Sequence, residues 1–262
     1  MKMETLGQTL DCGQSFRWAQ SPDGTWEGVA CGRYLRITKE NLSGVLRDRF
    51  WANYFDMGLD YGKIRAGFCA ADPVLSEAAC YAPDIRILNQ DPWEALCSFI
   101  LSQCNNIKRI KGIVARLCSA CGEPIDELHR AFPTPEALAR EGENGLRTLG
   151  CGFRAAYVSE AARLAADGKI DWEALRRLPL DEAREKLAEL PGVGPKVADC
   201  TLLYGLHRLD AFPMDVWMKR AMRTLFPGRR PAEFGPYAGI AQQYLFHYSR
   251  NHPELFREEA AG

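Results

Sequence analysis

Over residues 1–38 apolar and polar positions alternate in short runs separated by turn formers, the period-2 pattern of half-buried strands. The expected strands are residues 15–18, 25–29 and 34–37, with Ser21-Pro22-Asp23-Gly24 turning between the first two. The period then lengthens to that of helices over residues 50–56 and 61–79, the second broken by Pro73. This pattern predicts a first unit, residues 1–88, made of an antiparallel sheet plus helices. From Asp91 onward the pattern is helical throughout. Asp91-Pro92-Trp93-Glu94 reads as a cap, a proline at the first helical position and an acidic first turn, starting a helix that runs to residue 102. Further helices are expected over 107–118, 134–140, 143–149, 154–166, 181–189, 195–206, 215–226 and 235–250. The fold class is therefore α+β, a small sheet module followed by a mostly helical unit over residues 89–262, with no internal repeat or low-complexity linker.

With 262 residues, 47% apolar and 26% charged, the chain has the composition of a globular protein with sizeable cores. Its 33 Lys and Arg against 34 Asp and Glu give a net charge of −1. That balance argues against a broad basic footprint for nucleic acid, but not against a local site at a helix terminus. The ten cysteines are scattered, and Met1-Lys2-Met3-Glu4 starts no apolar signal segment, so free thiols in a reducing compartment are expected. Cys118-x-x-Cys121 has no second pair at zinc spacing, and His129, His207, His247 and His252 show no ligand spacing, so no metal is expected. No apolar run is long enough to cross a membrane.

Chemistry concentrates in residues 190–200, LPGVGPKVADC. Gly192-Val193-Gly194 forms a hairpin whose backbone turns sharply and approaches a ligand closely. Pro195 opens the next helix, and the free amides at its start suit an anion such as phosphate. Lys196 lies in that first turn, with Cys200 one turn later on the same face. The helix dipole and burial both disfavour an ammonium there, so its pKa is expected to fall, leaving an amine able to form a Schiff base with a carbonyl or a sugar C1′. Phe212-Pro213-Met214-Asp215 brings a carboxylate to the start of another helix, where it caps the helix and faces the lysine.

This hairpin closely resembles that of the helix-hairpin-helix DNA glycosylases, where it grips a DNA phosphate and the lysine attacks the sugar of a flipped nucleotide. Gly13-Gln14-Ser15-Phe16-Arg17-Trp18 narrows the resemblance to the 8-oxoguanine DNA glycosylases/AP lyases, and it extends over residues 6–250. The resemblance implies catalytic roles for Lys196 and Asp215, and a base pocket formed by Gly13, Cys200, Gln242 and Phe246. In that pocket the Gly13 carbonyl accepts from N7–H of the lesion, Gln242 bonds its pairing edge, and Phe246 and Cys200 cover its two faces. It also implies DNA contacts from Gly192, Gly194 and Val197 to a phosphate, from Asn105, Asn106, Arg109 and Arg154 around the widowed cytosine, and from Phe153 as a wedge. The partner is then double-stranded DNA carrying 8-oxoguanine, and neither metal nor organic cofactor is expected. A monomer is expected, on the nucleoid in the cytoplasm of a bacterium or in the nucleus of a eukaryote. Two positions depart from the eukaryotic members: Cys104 replaces the first of three asparagines and Trp217 replaces a histidine. No cysteine follows Cys200, unlike the members that carry a C-terminal iron–sulfur loop. Two alternatives stay open at this point: an alkylbase DNA glycosylase, whose relatives lack the lysine and use water, and a non-catalytic hairpin protein that binds damaged DNA.

Overall fold

The computed structural model describes residues 1–256. After α1 (Gly7–Leu10) come three antiparallel strands, β1 (Trp18–Gln20), β2 (Trp26–Ala30) and β3 (Arg33–Ile37), in the order β1-β2-β3. The register sets Trp18 opposite Gly28 and Trp26 opposite Ile37. Trp18, Trp26 and Ile37 are buried with Leu6, Leu10, Trp51, Tyr54, Phe55 and Leu88 in a small core. The strand expected over 15–18 is found at Trp18–Gln20 instead. Residues 13–17 leave the sheet because their partners lie elsewhere: Phe16 packs edge-on against Phe99 at 5.7 Å, and the Gln14 side chain bonds Arg86 and Leu88.

The helices are α2 (Leu42–Val45), α3 (Arg49–Tyr54), α4 (Tyr61–Ala71), α5 (Pro73–Tyr81), α6 (Pro92–Leu101), α7 (Ile107–Cys121) and α8 (Pro135–Thr148). They continue with α9 (Ala155–Ala166), α10 (Trp172–Arg177), α11 (Leu180–Ala188), α12 (Pro195–Cys200), α13 (Val216–Leu225) and α14 (Ala238–Asn251). Many starts follow from local chemistry. Asp72, Asp91 and Thr134 each cap a helix that opens with proline, and Asn106 and Asp215 cap α7 and α13. The helices expected over 134–140 and 143–149 are the two arms of α8, joined across Gly142. The short α1, α2 and α10 were not expected, since one turn carries no readable period. The helix expected over 195–206 is α12 followed by a π-helix, Thr201–Gly205. The wide turn occurs where Gly205 abuts α6, so close that a side chain there would put its first carbon 2.7 Å from Pro92 Cα. The helix expected over 235–250 begins at Ala238, after a 3₁₀ segment, Pro231–Tyr237.

Helix α6 is buried on every side from Trp93 to Leu101 and forms the axis of the larger core. Tyr61, Ile64 and Phe68 of α4 and Leu75 of α5 belong to that same core, where Phe68 meets Tyr244 of α14 edge-on. The loop after α1 is therefore held against helices from both halves of the chain. The helical unit expected over 89–262 includes residues 257–262, which lie outside the described residues.

Arg17 and Glu94 join that loop to the start of α6 as a buried pair 3.9 Å apart. Burial pushes the Glu94 carboxyl up to about 7 from 4.5, with Arg17 offsetting part of the effect. The folded chain therefore binds more protons than the unfolded one between about pH 4.5 and 7. The stability that the protonated carboxyl contributes is full below that window and is lost as pH rises through it. The expected loss is on the order of 3 kcal/mol. Thermal melts from pH 5 to 8 should show a slope in the wild type that Glu94→Gln flattens; parallel slopes would refute the assignment.

Candidate active site

Lys196 enters the first turn of α12 half-buried, and its amine donates to Ser102 Oγ at 2.9 Å. The amine also lies 4.9 Å above the centre of the Phe99 ring. Phe99 stacks on Tyr204 at 5.2 Å, so an aromatic floor from α6 and the π-helix supports the lysine. Above this floor is a narrow cleft of about 40 Å³. Its walls include Lys196 and Asp215 together with Gly13, Cys200, Gln242 and Phe246, so the six residues expected for catalysis and base binding meet in one place. Asp215 accepts from the Met218 amide at 2.8 Å, the cap that fixes its carboxylate at the cleft. Burial pushes the Cys200 thiol up to about 12 despite the nearby Lys196, so it presents a neutral, soft face. Gln242 donates to the Pro213 carbonyl at 3.2 Å, while its Oε1 is buried with no hydrogen-bond partner among the described residues. A second, wider cleft of about 240 Å³ shares Gly13, Lys196, Asp215 and Phe246 with the first and adds Asn105, Asn106, Trp217 and Arg250.

The hairpin beside the cleft needs glycine at position 192. Its φ is +76°, and a Cβ would fall 2.3 Å from the Tyr157 ring. By helix geometry the amides of Gly194 and Val197, at the cap and first turn of α12, have no acceptor within the helix. Gln103, just past α6, donates to the Gly192 carbonyl at 3.0 Å. The carbonyls of Gln103 and Cys104 in turn accept from the Arg154 guanidinium. The turn after α6 thus ties together the lysine, through Ser102, the hairpin and the segment at Phe153.

Two family models match adjoining stretches of the chain: "8-oxoguanine DNA glycosylase, N-terminal domain" over residues 2–96 and "HhH-GPD superfamily base excision DNA repair protein" over residues 97–233. The chain is 35% identical to a probable N-glycosylase/DNA lyase of Methanothermobacter thermautotrophicus, covering 86% of this chain and 84% of that one. Among solved structures it is similar to MBOgg1 in complex with a low-affinity DNA ligand, with TM-score 0.85, 40% identity, and 94% and 92% of the two chains covered. It is also similar to the Clostridium acetobutylicum 8-oxoguanine glycosylase/lyase bound to DNA with cytosine opposite 8-oxoguanine, with TM-score 0.84, 32% identity, and 95% and 92% covered. This chain belongs to the 8-oxoguanine DNA glycosylase family.

The remaining residues expected to contact DNA lie around the outer cleft and the turn after α6. Asn105 donates to the Leu101 carbonyl at 2.9 Å, and Asn106 caps α7 through the Arg109 amide at 2.9 Å. Arg109 is exposed. Phe153 is 50% exposed, and the Arg154 guanidinium lies 4.3 Å over its ring. Arg154 itself is buried, and its guanidinium braces the Gln103–Cys104 turn. Burial first and the Arg109 charge second lower its pKa. Cys104 adopts φ +48°, a conformation asparagine tolerates better. Sequence reasoning missed Phe99, Ser102, Gln103, Tyr204 and Gln243. Each is an ordinary core or helix-end residue until the chain folds, and no local pattern marks it.

Proposed function

We propose that this chain is a bifunctional DNA glycosylase/AP lyase that removes 8-oxoguanine from duplex DNA and then cleaves the strand. The observation that carries the reading is the meeting of Lys196, Asp215 and the four base-pocket residues in a single cleft. The hairpin amides hold a phosphate, and Phe153 enters the gap left by the flipped nucleotide. The inner cleft, about 40 Å³, is too small for a base, so its walls part to admit one. The Gly13 carbonyl then accepts from N7–H of the lesion, whereas guanine offers a lone pair at N7 and is repelled. The unpartnered Gln242 Oε1 accepts from the pairing edge of the base.

Lys196 attacks C1′ as the bond to the base breaks, and the Asp215 carboxylate stabilises the positive charge on the sugar. Opening of the sugar ring gives a protonated Schiff base between C1′ and Nζ. Loss of a proton from C2′ then expels the 3′ phosphate by β-elimination. The test is incubation with duplex containing 8-oxoguanine, measuring released base by chromatography and the nick by electrophoresis. Release of alkylated bases with none of 8-oxoguanine would favour the alkylbase alternative and end this reading.

Cys104 governs the opposite base in this scheme. A thiol cannot supply the donor and acceptor pair of an amide, so the preference for cytosine opposite the lesion is expected to be weak. Cys104→Asn is expected to sharpen that preference and, by easing the left-handed backbone, to stabilise the fold by about 1 kcal/mol. Duplexes with the lesion facing each normal base in turn measure the first effect and thermal melts the second. Unchanged ratios across the panel would show that position 104 does not set the preference.

A further inference from the structure

Buried glutamines converge on the loop that carries Gly13. The Gln14 side chain donates to the carbonyls of Thr9 at 3.0 Å and Arg86 at 2.8 Å, and accepts from the Leu88 amide at 2.8 Å. Gln90 donates to the Gln14 carbonyl at 2.7 Å. From the opposite side, Gln243 of α14 donates to the Cys12 carbonyl at 3.3 Å, and its Oε1 accepts from the Tyr204 hydroxyl at 2.5 Å. Gln14, Gln90 and Gln243 are all buried. The carbonyls on either side of Gly13 are therefore each held by a side-chain amide, whereas no hydrogen bond to the Gly13 carbonyl itself forms among the described residues. Gly13 adopts φ +90°, where glycine has many alternatives open to it. Fixing the peptide planes before and after removes those alternatives and leaves one bare acceptor at the cleft.

We propose that Gln243 is a positioning residue for base selection. It orients the peptide that precedes Gly13, and the Tyr204 hydroxyl, bonded to its Oε1, holds it in that orientation. The inference rests on the reading of Gly13 as the acceptor for the lesion's N7–H. Buried amides need partners in any fold, so a purely structural role must be told apart from this one.

The two differ in which reaction suffers. Cleavage of a preformed abasic site needs Lys196 but places no base against Gly13, whereas base release needs both. Gln243→Leu is expected to slow single-turnover release of 8-oxoguanine about tenfold, the weight of one buried hydrogen bond, while abasic-site cleavage changes by less than about twofold. Tyr204→Phe keeps the ring stack, loses only the hydroxyl, and is expected to show the same split at about two- to threefold, which covers the case of a Gln243→Leu chain that fails to fold. Equal losses in both reactions, or no loss in either, would overturn the proposal while leaving the glycosylase reading intact. A wild-type chain that releases no 8-oxoguanine would overturn that reading, and this proposal with it.

Discussion

Lys196→Gln is expected to abolish strand cleavage at abasic sites and to lower base release by roughly 10³- to 10⁶-fold, the range set by removal of a nucleophile from a working site. Glutamine keeps most of the side-chain length and can still donate to Ser102 Oγ, so the packing over Phe99 survives and the loss is chemical. The decisive measurement is reduction with borohydride in the presence of duplex carrying 8-oxoguanine. The wild-type chain should become covalently joined to DNA, through reduction of the bond between Nζ and C1′, and the variant should not. A wild-type chain that yields no adduct, or a variant that yields as much, would remove the Schiff base from the mechanism. It would then leave water as the nucleophile, as in the alkylbase enzymes.

What made Lys196 readable before folding is that its chemistry is local. The glycines, the proline and the lysine lie within a few residues of one another, and each has a backbone or dipole reason to be there. The same holds for Asp215 behind its proline and for Gly13 at the head of its motif. The supports of these residues are not local. Ser102 holds the lysine amine, Gln103 holds the hairpin, and Tyr204 with Gln243 holds the Gly13 loop, all across long separations in sequence. The same cause explains the shift of the first strand to Trp18–Gln20. The 15–18 segment alternates as a strand does, but Phe16 finds Phe99 and Gln14 finds Arg86, and those tertiary contacts outweigh the local preference. The π-helix after Cys200 was equally hidden. It follows from the approach of Gly205 to α6, which no periodicity of the segment itself encodes.

Asp215→Asn separates the two duties of that carboxylate. As a cap it accepts from the Met218 amide, and asparagine caps a helix about as well, so thermal stability should change by only a few tenths of a kcal/mol. As a charge at the cleft it has no substitute: the amide neither takes a proton from the lysine nor balances the positive sugar. Base release is therefore expected to fall by about 10²- to 10⁴-fold at unchanged stability. Asp215→Ala adds loss of the cap, about 1 kcal/mol, to the same loss of rate. Stability and rate measured on both variants test the division. If Asp215→Asn melted early and its slowed rate recovered at lower temperature, the carboxylate would be acting through the helix it starts. If Asp215→Asn melted with the wild type and stayed slow at every temperature, the negative charge itself would be what the reaction requires.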